Sequence, residues 1–214
     1  MPITQEEFER AYPTLFHISL ARDVEQVRRH GLLSTTALLD LCEIQGEQRT
    51  QIERMQRPKP IPIRHPVFGD FLINDQAPMN LTALSKCLTD LTTTQWCESL
   101  NRRVFLWPTR DRLAKHIGAR LAGRQKRVVL AFETRSLLKT LRADAFELSP
   151  INSGNTMRKA APRGSGTFLK FGEYPFHERR RTKGLRAAIA EVTYPYAITA
   201  AELMNIGMSV EVLA

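Results

Sequence analysis

Apolar residues recur along the chain at helical spacing in some windows and at strand spacing in others, so short elements of both kinds are expected from end to end. Residues 5–12 and about 20–30 read as helices; in the second, Leu20, Val24 and Val27 share a stripe and Gly31 is the stop signal. Between them, Leu15-Phe16-His17-Ile18 has the bulk of a short buried strand. Ser34 opens a helical pattern carrying Leu38, Leu39 and Leu41, and another spans about 47–55. Arg57-Pro58-Lys59-Pro60-Ile61-Pro62-Ile63 has prolines at alternate positions, which excludes helix and predicts a loop or an edge strand. Asn80 reads as the N-cap of a helix carrying Leu81, Leu84, Leu88 and Leu91, and Thr94 opens a shorter one through Trp96 and Leu100.

The second half follows the same rules. A strand at 104–107, a helix at 109–121 stopped by Gly123 and a strand at 127–132 form a compact unit, followed by a short strand at 146–148. Residues 150–184 show little periodicity, with 167–171 as a strand candidate, and a long irregular segment of this kind is more often functional than idle. The chain closes with a strand at 189–194, a short helix at 200–204 and alternation at Met208, Val210 and Val212. No βαβ register repeats, which gives the α+β class, and no linker interrupts residues 1–214, which gives one domain.

Composition changes this picture little, but charge changes it more. With 43% hydrophobic and 25% charged residues the chain has the material for a core. No apolar run approaches the roughly 18 residues of a membrane helix, and Glu6, Glu7 and Glu9 occupy the place of a basic secretory leader, which points to the cytoplasm and no membrane partner. Cys42, Cys87 and Cys97 lack the spacing of a disulfide framework or a zinc site and read as reduced core residues; no metal is implied. The net charge of +9 is unevenly spread: residues 98–127 carry +7, residues 158–186 carry +7, and the remainder is −5. Two basic blocks on an acidic body suggest one positive surface for a polyanion such as DNA or RNA. The plainer reading is that Arg110, Arg112, Lys115, Arg120 and Arg124 form the solvated face of one helix.

No P-loop, dinucleotide glycine motif, serine-hydrolase elbow or zinc-protease motif is present. What remains are polar residues in apolar company. His17 is either a hydrogen-bonded core histidine or a ligand-binding one. Glu191, mid-strand on the face of Ile189 and Thr193, needs a partner or a job; an edge-strand salt bridge would satisfy it. Asp75 and Gln76 stand in an irregular segment that also fits a plain turn.

Leu15-Phe16-His17-Ile18-Ser19, followed by a helix and His30-Gly31-Leu32-Leu33-Ser34, resembles the opening of ADP-ribosyltransferases. The stretch from Arg186 through Ala190-Glu191-Val192-Thr193-Tyr194-Pro195 resembles the end of the DarT family of DNA ADP-ribosyltransferase toxins, while Val104-Phe105-Leu106-Trp107 through Phe146-Glu147-Leu148-Ser149 is similar to the RNA 2′-phosphotransferase branch of that fold. Segments at Gln56-Arg57-Pro58, 73–78, 149–154 and 163–168 also resemble those of a family of bacterial proteins without an assigned activity. The resemblance implies a split β-sheet core with flanking helices, NAD as substrate, a nucleic-acid acceptor, and an antitoxin or macrodomain hydrolase as partner. It implies Glu191 as the catalytic carboxylate, His17 as ribose anchor, and Ile18 and Ser19 on the nicotinamide side. Arg57 would contact phosphate or acceptor, with Arg54 as its alternative, and Asp75 and Gln76 would complete the binding edge. The aromatic run expected near the NAD and acceptor pockets is replaced by Leu72-Ile73-Asn74-Asp75-Gln76-Ala77-Pro78, which leaves the acceptor open. A phosphotransferase would need more histidines in matching places than His17 alone. A non-catalytic nucleic-acid-binding module of the same fold, or transfer to a protein, are the alternatives.

Overall fold

In the computed structural model, residues 1–74, 76, 79–118, 126–156 and 160–212 are described, residues 115–118 by backbone only. Asp75, Arg120, Gly123 and Arg124 lie outside them, as does the side chain of Lys115. Helix α1 (Gln5–Ala11) starts at Thr4, whose hydroxyl and the Glu7 carboxylate form a reciprocal capping box. Strand β1 (Thr14–Leu20) then passes through a short 3-10 turn into α2 (Val24–His30), so the helix starts later than the apolar stripe suggests. Strand β2 (Leu32–Leu33) follows, then α3 (Thr35–Leu41), whose N-cap Ser34 accepts from the Ala37 amide, and α4 (Gly46–Arg54). The proline-rich stretch enters β3 (Ile61–His65), which pairs with β4 (Gly69–Ile73) in a two-stranded hairpin that tolerates Pro62.

Helix α5 (Leu81–Cys87) is capped by Asn80 and α6 (Thr93–Asn101) by Thr92. The expected continuation of α5 to Leu91 does not occur: Leu88 is extended and bridges Arg163, so backbone pairing ends the helix where leucine spacing would prolong it. Then come β5 (Arg103–Leu106), α7 (Arg110–Gly118), β6 (Arg127–Glu133), α8 (Thr134–Thr140) and β7 (Glu147–Ser149). The strand candidate at 167–171 is instead a 3-10 turn at Ser165–Thr167 and a lone Leu169–Leu148 bridge. Helix α9 (Phe176–Lys183) escapes a periodicity reading because its only buried residue is Phe176. The chain ends with α10 (Leu185–Ala188), β8 (Glu191–Pro195), β9 (Ala197–Ile198), α11 (Ala200–Ile206) and β10 (Ser209–Val212).

The molecule is mixed, with antiparallel strands in several small sheets among helices, an α+β arrangement. One sheet runs β1-β6-β10 and another β5-β8-β7. Strand β6 is apolar at every position from Val128 to Phe132 because both its faces are covered. Val128, Leu130 and Phe132 join the main core with Leu15, Phe8, Leu106, Leu148 and Val192, while Val129 and Ala131 pack on Phe16, Trp107 and Leu113. Among the described residues the two sheets are joined by one antiparallel bridge, in which Phe16 N–H donates to Trp107 O (3.0 Å) and Trp107 N–H to Phe16 O (2.7 Å). Beyond that bridge β1 and β5 part. Cys42 and Cys97 are buried and Cys87 is half-buried; no disulfide joins them. Among the described residues no helix is long and apolar enough to cross a membrane.

Candidate active site

The register of the two sheets brings the ends of the chain together. Strand β5 pairs with β8 from Arg103↔Pro195 to Leu106↔Val192, so Glu191 and Trp107 are the residues one step past the last pair. Trp107 in turn bridges Phe16, the neighbour of His17. Where the sheets part, a cavity of about 290 Å³ opens. His17, Ile18 and Ser19 of β1 line it, as do Asn74, Gln76, the loop 152–155 and Glu191.

Glu191 is the first residue of β8, not a mid-strand residue, and β8 is the central strand of its sheet, so the edge-strand salt bridge has no edge to occupy. The residue is 3% exposed, and both carboxylate oxygens accept from the Ser153 amide at 3.1 Å. No cation lies within ion-pair distance of it among the described residues. Burial pushes the carboxyl up to about 7; the Ser153 hydrogen bonds and the more distant charges of Arg163 and Arg112 offset only part of that. A carboxyl poised near neutrality on a cavity wall suits charge stabilisation or proton transfer.

His17 is half-buried and its Nδ1 lies 2.9 Å from the Phe105 carbonyl. Since a carbonyl only accepts, Nδ1 carries the proton and Nε2 of the neutral ring is an acceptor. Burial holds the imidazole below its ordinary pKa, with the Phe105 hydrogen bond opposing. Both readings of His17 therefore hold at once: one nitrogen serves the fold, and the ring lines the cavity.

The arginine candidates sit elsewhere. Arg57 is 4% exposed and outside the cavity lining; its guanidinium donates to the Ile52 carbonyl and to Asn101 Oδ1 (2.9 Å), and its amide to Gln76 Oε1 (3.3 Å). Asn101 closes the knot by donating to the Glu53 carbonyl at 2.7 Å. Gln76 belongs both to this knot and to the cavity wall. Arg54 is exposed, pairs with Glu98 at 2.6 Å, and also lies off the cavity. The pair predicts contrasting losses on replacement by alanine: about 3 kcal/mol for Arg57, whose buried partners are left unpaired, and under about 1 kcal/mol for Arg54. Urea unfolding curves measure both, and equal losses would contradict the buried knot.

Sequence reasoning missed the residues that hold the carboxylate. The Ser153 amide is presented by a loop that Arg163, 3% exposed, laces together by donating to the carbonyls of Ser153 (2.7 Å), Asn155 (3.2 Å) and Ala161 (3.1 Å). Gly164 follows it at a close approach, where a Cβ would stand 1.9 Å from Asp90 Oδ1 and 2.3 Å from Thr89 Oγ1 and would force those side chains to turn away. The signal was there in part: the segments 149–154 and 163–168 stand out in the chain, but only the fold shows that they clasp each other.

The two basic blocks do touch. Arg112 of α7 donates to the carbonyls of Arg186 (3.4 Å) and Ala187 (3.2 Å), and Arg186 pairs with Asp111 at 3.2 Å. Several cations are committed internally: Arg103 to Glu147, Arg110 to Glu211, Arg163 and Arg179 to carbonyls. Arg180, Arg181 and Lys183 of α9 are exposed and have no acid partner among the described residues.

No curated protein and no solved structure matches the chain. One family model does, over residues 13–204, a span that begins just before β1, ends within α11 and contains His17, Arg163 and Glu191. The chain therefore belongs to that family, described as a family of unknown function (DUF7002).

Proposed function

We propose that this cavity is the active site of an NAD-dependent ADP-ribosyltransferase whose acceptor is a nucleic-acid base. The observation that carries the reading is a water-deprived carboxylate, Glu191, and an imidazole, His17, on the wall of one cavity at the parting of two sheets. In the reaction the bond between nicotinamide and ribose C1′ breaks, and nicotinamide leaves with the bonding electron pair. Positive charge develops on the ribose, where an ionised Glu191 stabilises it more than it stabilises the ground state. An acceptor nitrogen then bonds to C1′ and gives up its proton to Glu191, the buried carboxylate on the cavity wall. His17 Nε2 accepts from a ribose hydroxyl.

Incubation of the protein with labelled NAD and separate pools of DNA, RNA and cell protein tests the reading. Label in a nucleic-acid pool supports it, and label only in protein changes the acceptor. Replacing His17 by alanine is expected to weaken NAD binding about 3- to 10-fold, the worth of one hydrogen bond, as read by calorimetric titration; unchanged affinity removes His17 from the site.

The exposed cations of α9 favour a second reading, a non-catalytic module that binds nucleic acid through this face. Its mark is salt-sensitive binding of DNA or RNA with no rise of the thermal midpoint at millimolar NAD, since a ligand of the folded state must raise that midpoint.

A further inference from the structure

The cavity carries a charge that the chemistry at Glu191 does not use. Arg127, the first residue of β6, lines the cavity and is half-buried, yet its guanidinium has neither an ion pair nor a hydrogen bond among the described residues. The other guanidinium on the wall, Arg103, is occupied by Glu147 at 2.9 Å and by the Ser99 carbonyl at 2.6 Å. The wall's half-buried carboxylate, Asp23, is paired with Arg22 at 3.5 Å and does not compensate Arg127. Burial pushes the Arg127 guanidinium below its ordinary pKa with nothing opposing it. A half-buried cation without a counter-charge on a cavity wall suits an anion, and the planar fork of arginine fits phosphate oxygens.

Register gives the spacing. Leu20 faces Arg127 across the β1–β6 pair and His17 faces Leu130, so the two levels lie about 10 Å apart along the sheet and alternate to opposite faces of it; both reach the one cavity because that cavity opens at the edge of β1, where β1 and β5 part. A ligand touching both is longer than a single ring.

We infer that Arg127 forms a phosphate subsite of this cavity, which takes the diphosphate of a dinucleotide whose ribose lies between His17 and Glu191. The inference deepens the ADP-ribosyltransferase reading and rests on it for the dinucleotide, but not for the anion.

The test is calorimetric titration of the full chain with NAD, ADP-ribose, inorganic pyrophosphate and nicotinamide riboside, which lacks phosphate. Arg127→Gln and Arg127→Lys are run beside the native chain. Arg127→Gln is expected to weaken NAD, ADP-ribose and pyrophosphate about 10- to 100-fold and to leave nicotinamide riboside within about twofold. Arg127→Lys keeps the charge without the fork and should lose less, which keeps the test valid if the glutamine variant unfolds. Equal weakening of nicotinamide riboside, or no weakening of any phosphate ligand, overturns the subsite. If the native chain binds NAD no better than nicotinamide riboside, the subsite fails while the transferase reading stands. Binding of pyrophosphate that depends on Arg127, with no binding of NAD, preserves the subsite and overturns the transferase.

Discussion

Replacing Glu191 by glutamine is expected to cut ADP-ribosyl transfer about 10²–10³-fold, the usual worth of one transition-state electrostatic contact, and to raise the thermal midpoint above pH 7. The two effects share one cause. In the folded protein burial holds the carboxyl near 7, against an ordinary value of 4.5. Its folded value is raised, so the stability it contributes is fully present below about 4.5 and is lost as the pH climbs through about 7. The loss amounts to roughly 3 kcal/mol. Glutamine cannot ionise, so the variant should be flat across that window and the more stable protein at pH 8. In a chain of this size each kcal/mol moves the midpoint by about 2–4 °C. Scanning calorimetry at pH 5 and pH 8 reads the stability half, and labelled NAD reads the activity half. A midpoint that the substitution leaves unchanged at pH 8 would mean that the carboxylate is not desolvated. Full activity in the variant would remove Glu191 from the chemistry. In the native chain, transfer should rise as the pH climbs through 7, since the stabilising form is the ionised one.

The second large effect concerns Gly31, which joins α2 to β2 and lies on the cavity wall. Its φ is +92°, and a Cβ there would stand 2.1 Å from the Ile198 carbonyl oxygen and 2.9 Å from Thr199 Cα. Those are backbone atoms of β9 and of the N-cap of α11 that follows it, which no side-chain rotation can move. Gly31→Ala therefore combines a strained backbone with overpacking, and a loss of about 3–5 kcal/mol is expected. Gly172 provides the control: it has ordinary φ and nothing within 4 Å of an added Cβ, and its alanine variant should stay within about 0.5 kcal/mol. Urea unfolding compares the two, and a Gly31→Ala loss as small as that of Gly172→Ala would contradict the close approach of β2 and β9.

What the amino-acid order disclosed, and what it hid, follows from the range of the forces involved. Caps and short amphipathic stretches are local, and so Ser34, Asn80 and the strand around His17 were legible. Helix α9 was not, because one apolar residue makes no stripe. The end of α5 was not, because a distant backbone partner, Arg163, decides it. In the site, Glu191 and His17 showed themselves as polar groups in apolar surroundings. Arg57 was singled out only by the family resemblance, and it lies off the cavity, in a buried knot. Sequence context alone does not separate an arginine that satisfies carbonyls from one that awaits a ligand. Arg127 illustrates the converse, since as one basic residue in a basic block it had nothing to distinguish it until its lack of a partner was visible.

The clasp on Glu191 is a main-chain amide, that of Ser153, and the side chain that shapes it belongs to Arg163, ten positions further on. Every amino acid but proline supplies the same N–H, while the Ser153 side chain adds its own lowering influence on the carboxyl. The aim of that amide depends on Arg163, which holds the carbonyls of Ser153 and Asn155. Loss of the Ser153 hydroxyl would cost the carboxyl one of two supports, whereas loss of the guanidinium at 163 would unlace the turn that aims the other.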